Sequence, residues 1–291
     1  MQKFLSISKD ETSLSLAIGK FDGVHLAHQH LLGMLGPQGA ILVVERAHPH
    51  MALSPLEERA RLLERYAKRI YFLPLEEARS INASEFIALL ESKFIHLQKI
   101  VVGYDFRCAQ GRSMGVEQMR TLLRPNIQLQ VIDAIKIKGI ALHSYHIKEC
   151  IQRGDVRLAN QFLGRPFSLQ GEIITDQNLG SSHLYPTLNL NTQALQTELL
   201  PHPGVYITNV PLAKQCTRAV SFLGHRLSTD GKMAFETYIL DRNIQIPPSV
   251  LRVCFLKKIR DNRHFNNLQE LKAQIAQDIA RARALDSEQV C

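Results

Sequence analysis

No C-x-x-C pair occurs among the five cysteines of this 291-residue chain, Cys108, Cys150, Cys216, Cys254 and Cys291. Odd in number and scattered, they argue against a zinc ribbon or a disulfide framework, and the expectation is reduced thiols in a cytoplasmic protein. No apolar run approaches the ~20 residues of a spanning helix, so no membrane partner is expected. Met1 to Asp10 shows no apolar core of an export signal. No five basic residues stand in a row, and no aromatics interleave with the basic ones. Nucleic acid is therefore not expected as a partner, although the net charge is +8. Positive charge spread in this way suits a protein that draws in small polyanions. No internal repeat or low-complexity tract is present. What remains is ordinary globular material, 45% hydrophobic and 21% charged, with length for two domains or one large one.

The most informative segment is Leu14 to Leu35, LSLAIGKFDGVHLAHQHLLGML. It reads as a buried strand, a tight turn with glycine, and a helix whose first turn carries His25 and His28. Three residues apart, the two imidazoles project from nearly one face. They stand where free N–H groups and the helix dipole favour an anion. One reading is a nucleotide-phosphate site. The other has one imidazole capping or packing and its neighbour solvated; the pairing favours the first.

The first half alternates strands with helical patterns, the signature of a parallel α/β sheet. Ala40 to Val44, Ile70 to Leu73 and Lys99 to Gly103 read as strands, and Ser84 to Lys93 as a helix. Ser54-Pro55-Leu56-Glu57 reads as a helix start, with Ser54 as N-cap and Glu57 three residues on. Leu56, Ala60, Leu63, Ala67 and Ile70 follow at helical spacing. Between Gly154 and Pro166 the pattern changes. Short β runs follow at Phe167 to Thr175, Gly204 to Val210, Arg218 to Leu223, Met233 to Leu240 and Val250 to Lys257, as in a small β-barrel. Leu268 to Leu285 reads as a helix closing the barrel, with Leu268, Leu271, Ile275, Ile279 and Ala282 as its stripe and Asn267 and Glu270 as a capping box. The fold class expected is α/β: a Rossmann-like domain over residues 1–160, then a small β-barrel with a terminal helix over 161–291.

Gly19-Lys20-Phe21-Asp22-Gly23-Val24-His25-Leu26-Ala27-His28 resembles the G-x-F-D-G-x-H-x-G-H signature of the bacterial bifunctional riboflavin kinase/FMN adenylyltransferases, the prokaryotic FAD synthetases. Their core is related to the H-x-G-H nucleotidylyltransferases. Ala27 stands where the family has glycine, a change that removes no ligand. The resemblance covers almost the whole chain. It implies an N-terminal nucleotidylyltransferase domain in which FMN attacks the α-phosphorus of ATP, with Mg²⁺ supplying charge. His25 and His28 would be donors to the triphosphate, on a turn of Gly19, Phe21, Asp22 and Gly23. Val101 to Arg107, VVGYDFR, is similar to the family's V-G-x-[D/N]-F-x-F, which brings Gly103 and Asp105 to the site and Arg112 to the loop behind it. Cys108-Ala109 replaces the family's Phe-Gly, and Asp105 has the alternative of capping a loop. Leu142 to Lys148, LHSYHIK, aligns with I-S-S-T-x-I-R. Ser144 alone survives among its hydroxyls. Lys148 keeps the arginine's charge and loses its planar two-pronged grip, with His143 or His146 available to compensate. His48-Pro49-His50 resembles the family's H-P, or is simply a turn.

For the second domain the resemblance implies riboflavin kinase. Pro186-Thr187-Leu188-Asn189 is similar to the family's P-T-A-N, so Thr187 and Asn189 would serve metal and phosphates. Glu236, in FETYILD, would be the base for the ribityl hydroxyl, and Pro203-Gly204-Val205-Tyr206 matches P-G-V-Y. Around these the motifs are worn. Of the glycine-rich flap Gly171 and Gly180 remain, among Ile173, Asp176, Ser181, His183, Leu184 and Tyr185. N-I-G-x-R-P-T is reduced to Phe222-Leu223-Gly224-His225-Arg226-Leu227-Ser228, and Ile246-Pro247-Pro248 replaces the family's Y-G. Asn262 to Phe265 is a guess for flavin contact. The expected activity is FAD biosynthesis: riboflavin to FMN, then FMN to FAD, with ATP as co-substrate in both steps. Partners would be flavins and ATP, in a monomer or weak homo-oligomer. The alternatives are an FMN adenylyltransferase with a non-catalytic flavin-binding barrel, or a flavin and nucleotide sensor without catalysis.

Overall fold

The computed structural model describes residues 1–174, 185–212, 215–241, 244, 247–285 and 291. By contact the chain divides into two compact units, Met1–Ser144 and Tyr145–Cys291.

Six strands form the sheet of the first unit: β1 (Gln2–Lys3), β2 (Ser15–Gly19), β3 (Gly39–Glu45), β4 (Arg69–Pro74), β5 (Lys99–Gly103) and β6 (Gln128–Ile132). They pair in parallel in the order β1-β4-β3-β2-β5-β6. Strands rich in Val, Ile and Leu can be buried on both faces, and β2, β3 and β5 are; β1 is exposed and β6 part-exposed. Leu16, Ile18, Leu42, Ile100 and Val102 face one cluster, which Phe86 and Leu90 of α4 (Ala83–Lys93) complete. Ala17, Ile41, Val43 and Val101 face the other, against Leu31 and Leu32 of α1 (Leu26–Gly33) and Leu63 of α2 (Leu56–Leu63). Helices α3 (Leu75–Ser80) and α5 (Val116–Leu122) and the hairpin β7 (Lys136–Ile137) and β8 (Ile140–Ala141) complete this unit. From β2 the sheet grows one way through β3 and β4 and the other way through β5 and β6. That reversal opens a crevice at the carboxyl ends of β2 and β5, the place where doubly wound sheets bind ligands.

In the second unit α6 (Ser144–Gln152) and α7 (Val156–Leu163) precede six antiparallel strands, α6 beginning on the last residue of the first unit. These are β9 (Phe167–Ile174), β10 (Leu188–Leu190), β11 (Gly204–Leu212), β12 (Gln215–His225), β13 (Met233–Ile239) and β14 (Val250–Asp261). They close into a barrel in the order β10-β13-β12-β11-β14-β9, and α8 (Leu268–Arg283) follows. Closure leaves no open edge to template pairing with another chain. Helix α7 is fixed to the barrel through Asn160, whose amide donates to the Phe255 carbonyl and whose Oδ1 accepts from Phe167 N–H, at 2.7 Å each. Five β runs were expected and a sixth strand, β10, is present. Three residues were too few to show a period.

Three local expectations are corrected. Ser54 does not cap α2: its hydroxyl accepts from the Gly23 N–H at 3.0 Å, and Pro55 takes the N-cap position. On α8 the Asn267 side chain does cap, accepting from Glu270 N–H at 2.9 Å. Leu268 of the expected stripe is exposed, however, while Gln274 and Asp278 are buried, with Asp278 paired to Arg260 at 2.9 Å. Finally, Cys216 at the start of β12 is bonded to Cys291, Cα to Cα 5.8 Å. The expected set of free thiols shrinks to Cys108, Cys150 and Cys254. Sequence spacing says nothing of this bond, which joins residues 75 apart. No helix among the described residues is long and apolar enough to cross a membrane.

Candidate nucleotide and kinase sites

At the crevice, β2 ends in a turn of unusual backbone. Phe21, Gly23 and Val24 all have positive φ, 52°, 80° and 41°. Glycine adopts such angles freely, while phenylalanine and valine must be held there. The hold is visible. Phe21 is buried, and a Cβ on Gly19 would stand 3.1 Å from its ring. Asp22 Oδ1 accepts from the N–H groups of Leu53 and Ser54 at 2.9 and 3.3 Å. Behind the turn sits Arg59 of α2, fully buried. It donates to the Lys20 carbonyl at 2.8 Å, the Ser54 carbonyl at 2.9 Å and Asp22 Oδ1 at 3.1 Å, and pairs with Glu45 at 3.4 Å. One guanidinium thus ties the turn to β3 and to the approach to α2, and its burial is compensated by two carboxylates. Sequence reasoning missed Arg59 and Glu45. Arg59 lies three residues after Leu56 and four before Leu63, on the apolar stripe of α2, and that misplaced charge was the available signal.

His25 is not in the helix. It is the extended N-cap of α1 (φ −71°, ψ 171°), and its Nδ1 accepts from the His28 N–H at 3.4 Å. An N-cap acceptor satisfies one of the helix's orphan donors, which explains why the helix starts one residue later than expected. The rings nevertheless stack, centroids 3.6 Å apart, and Phe21 meets His28 edge-on at 5.3 Å. Burial holds the His28 imidazole well below its ordinary pKa, and His25, Arg59 and His143 push in the same direction. The ring is therefore neutral at pH 7. Its Nδ1 is buried without a hydrogen-bond partner. A buried polar atom left in that state at the mouth of a crevice fits a ligand oxygen.

Across the crevice, Gly103 ends β5, and Tyr104 and Asp105 follow it. His143 comes to this side: its Nε2 is 2.9 Å from the Tyr104 hydroxyl and its Nδ1 3.5 Å from Asp105 Oδ2. The Ser144 hydroxyl, on the last residue of the first unit, donates to the Asp22 carbonyl of the histidine turn at 2.9 Å. Gly19, Phe21, Asp22, Gly23, His25, His28 and Ser144 are thus brought together, with His143 linking Asp105 to the group. Arg112 (φ 59°) is exposed in the loop behind β5. Lys148 stands one turn along α6 from Ser144 and belongs by contact to the second unit. His48 and His50 are exposed in a bend after β3.

On the barrel, strand register does the assembling. Asn189 of β10 pairs directly with Glu236 of β13, which puts their side chains on one face. Thr187 donates its hydroxyl to Asn189 Oδ1 at 3.4 Å. These uncharged oxygens beside a carboxylate fit Mg²⁺, a hard cation bound through few protein oxygens. No cluster of three or more His, Cys, Asp or Glu suited to a metal occurs among the described residues. Arg226 Nε donates to Glu236 Oε1 at 2.7 Å, and its Nη1 reaches Asp230 at 3.0 Å. The worn stretch around Arg226 therefore retains the arginine that grips Glu236. Gly171 lies on β9, where a Cβ would come 3.2 Å from Leu190. Gly180, with Thr175, Asp176, Ser181, His183, Leu184 and Ile246, lies outside the described residues. Phe265, in the stretch named for flavin, is packed under the guanidinium groups of Arg260 and Arg263.

Comparison with known proteins matches both halves of the chain. The FAD synthetase family model matches residues 7–146, and the riboflavin kinase family model matches residues 163–285. A bifunctional riboflavin kinase/FMN adenylyltransferase of Pseudomonas fluorescens is 29% identical over 92% of this chain and 91% of its own. The protein of that name from Bacillus subtilis is 25% identical over 94% and 92%, and that from Escherichia coli K12 is 26% identical over 92% and 91%. A crystal structure titled as a macrolide-efflux protein from Streptococcus pneumoniae superposes with a TM-score of 0.84 over 98% of both chains, at 23% identity, a likeness of fold.

Proposed function

We infer that this chain belongs to the family of bifunctional riboflavin kinase/FMN adenylyltransferases and makes FAD from riboflavin in two ATP-dependent steps. The observation that carries the reading is the pairing of the crevice, with its His25–His28 stack, and a closed barrel bearing Thr187, Asn189 and Glu236 on adjoining strands. We assign residues 1–160 to adenylyl transfer and 161–291 to the kinase.

In the kinase step Glu236 takes the proton of the ribityl 5′-hydroxyl. The freed oxygen bonds to the γ-phosphorus of ATP, the bond to the β-phosphate oxygen breaks, and ADP leaves. Thr187 and Asn189 bind the phosphates and would hold Mg²⁺, which offsets phosphate charge when bound. Arg226 keeps the Glu236 carboxylate aimed along the barrel wall. Gly171 and Gly180 are assigned to the nucleotide.

In the adenylyl step an oxygen of the FMN phosphate bonds to the α-phosphorus of ATP, and pyrophosphate leaves. No hydroxyl needs deprotonating, so the residues orient anions and donate to them. His28, neutral and half-buried, donates from its ring; His25 backs it and caps α1. Gly19, Phe21, Asp22 and Gly23 of the turn are assigned to the nucleotide. Asp105, Gly103, Arg112, Ser144 and Lys148 are assigned to the same nucleotide. We place the protein in the cytoplasm, where its substrates are made and used.

Purified protein incubated with riboflavin, ATP and Mg²⁺ should yield FMN and then FAD, with one pyrophosphate released per FAD. FAD from FMN but no FMN from riboflavin would reduce the protein to an adenylyltransferase. Flavin bound with no product from either substrate would leave a sensor.

A further inference from the structure

Residues 226–232 join β12 to β13, whose facing ends pair His225 with Met233. The turn closes through Arg226: its N–H donates to the Lys232 carbonyl at 2.9 Å, and its carbonyl accepts from the Gly231 N–H at 3.1 Å. The Arg226 guanidinium leaves the turn for the kinase site, with Nε on Glu236 Oε1 at 2.7 Å. Asp230 is divided between these two tasks. Its Oδ1 accepts from the Lys232 N–H at 3.1 Å and shapes the turn, while its Oδ2 accepts from Arg226 Nη1 at 3.0 Å. The Lys232 N–H above all holds this carboxyl below its ordinary value, and the Arg226 charge acts in the same direction. Asp230 is therefore an anion at neutral pH, facing a guanidinium that is always charged. Neither Glu236 nor Arg226 is sealed in the barrel, since both side chains are part-exposed. Bonded to Glu236 alone, a long arginine side chain is free to swing. A second carboxylate on Nη1 fixes the guanidinium plane, because Nε and Nη1 belong to one rigid group.

We propose that Asp230 is a positioning residue of the kinase step: by holding the Arg226 guanidinium in place, it sets the direction in which Glu236 faces the ribityl hydroxyl. This deepens the kinase reading and rests on it. Register with Asn189 brings Glu236 to the site, but register fixes a backbone and leaves the carboxylate to turn on its stem. A base must come within hydrogen-bond reach of the proton it takes, and small errors of placement cost rate steeply. Asp230 acts on that placement through Arg226 alone.

Asp230→Asn separates the two tasks. Asparagine keeps an Oδ1 acceptor for the Lys232 N–H and loses the negative charge that faces Nη1. FMN formation from riboflavin is assayed for kcat and for KM of riboflavin and of ATP, with the barrel's urea midpoint as control for folding. The expected result is a loss of about tenfold in kcat with both KM values within about twofold of wild type, as for an interaction expressed only in the transition state. On an Arg226→Gln background the same change should have no further effect on kcat, because the two residues act as one unit. Wild-type kcat in Asp230→Asn, or a loss confined to KM, would overturn the proposal and leave the kinase reading intact. So would a kcat loss repeated in full on the Arg226→Gln background, the mark of a damaged turn. Absence of FMN formation by the wild-type protein would overturn both.

Discussion

The floor of the crevice and the wall of the barrel bury polarity in opposite ways. Beneath the crevice lies formal charge: Arg59 with Asp22 and Glu45, all buried. Inside the barrel wall lies a neutral chain of hydroxyls, Thr208 to Ser221 at 2.8 Å and Ser221 to Thr237 at 3.0 Å, crossing β11, β12 and β13. Barrel strands already satisfy their backbone through the ladder, and hydroxyls fill interior space at little cost. The histidine turn has no ladder. Its positive φ angles need an anchor that bonds several carbonyls and carboxylates at once, and arginine has five donors for it. The carboxylate with chemical work to do, Glu236, is not sealed in the barrel. It stands part-exposed with Arg226, where a substrate hydroxyl can reach it.

The largest effect should come from breaking the charged hub. Arg59→Met removes the buried cation shared by Asp22 and Glu45, leaving exposed Lys20 at 3.5 Å from Glu45, and should destabilise the first unit by about 3–5 kcal/mol. Urea unfolding followed separately for the two units would show the barrel's transition unmoved. His28→Ala should lower FAD formation from FMN by about 10²–10³-fold, as loss of one preorganised donor does. Steady-state assay of pyrophosphate release measures it. In the barrel, Ser221→Ala interrupts the hydroxyl chain and should cost only about 1–3 kcal/mol, read as a shift in the barrel's urea midpoint. A cost equal to that of Arg59→Met would erase the contrast between charged and neutral burial. Thr187→Val should slow FMN formation about tenfold or more, ~1.4 kcal/mol, and leave FAD formation from FMN intact.

The smallest effect is one of pH. His28 has its native pKa depressed below the ordinary value of 6.5, so the unfolded chain takes up the proton first. Its contribution to stability is complete above about pH 6.5 and is lost as pH falls from there through the native value. Unfolding at pH 7.5 and 5.5 should show the first unit weaker at the lower pH, and His28→Ala should reduce that difference. Asp10 acts further down the scale. Burial works against its charge, yet hydrogen bonds from Ser13, Thr12 and Tyr71 hold the carboxyl far below the carboxylate range. Its contribution is present above pH ~4 and fails only in stronger acid.

Much of this was legible in the residues. Strands β2, β3, β4 and β5 announce themselves as apolar runs, whereas the two-residue β1 and the part-exposed β6, QLQVI, do not. The decapeptide around His25 and His28 carries its own chemistry. Arg59 was passed over although it stands between Leu56 and Leu63 on a stripe read as apolar, because its partners Asp22, Glu45 and the Lys20 carbonyl lie far away in sequence. Strand β10 was hidden by its length, and its pairing with β13 assembles Thr187, Asn189 and Glu236. That proximity is a matter of register between segments almost fifty residues apart, and no local pattern encodes it. His143 was named beside His146 as a stand-in for the missing arginine, but its contacts with Tyr104 and Asp105 were not legible, since those two follow the end of β5.

Feeding Glu236→Ala first riboflavin and then FMN tests the central claim most directly, that two chemistries occupy two separate units. With riboflavin, ATP and Mg²⁺, chromatography should show almost no FMN or FAD; with FMN, FAD should form at the wild-type rate. Loss of FAD formation from FMN as well, in a protein that remains folded, would contradict the separation, and so would undiminished FMN formation from riboflavin.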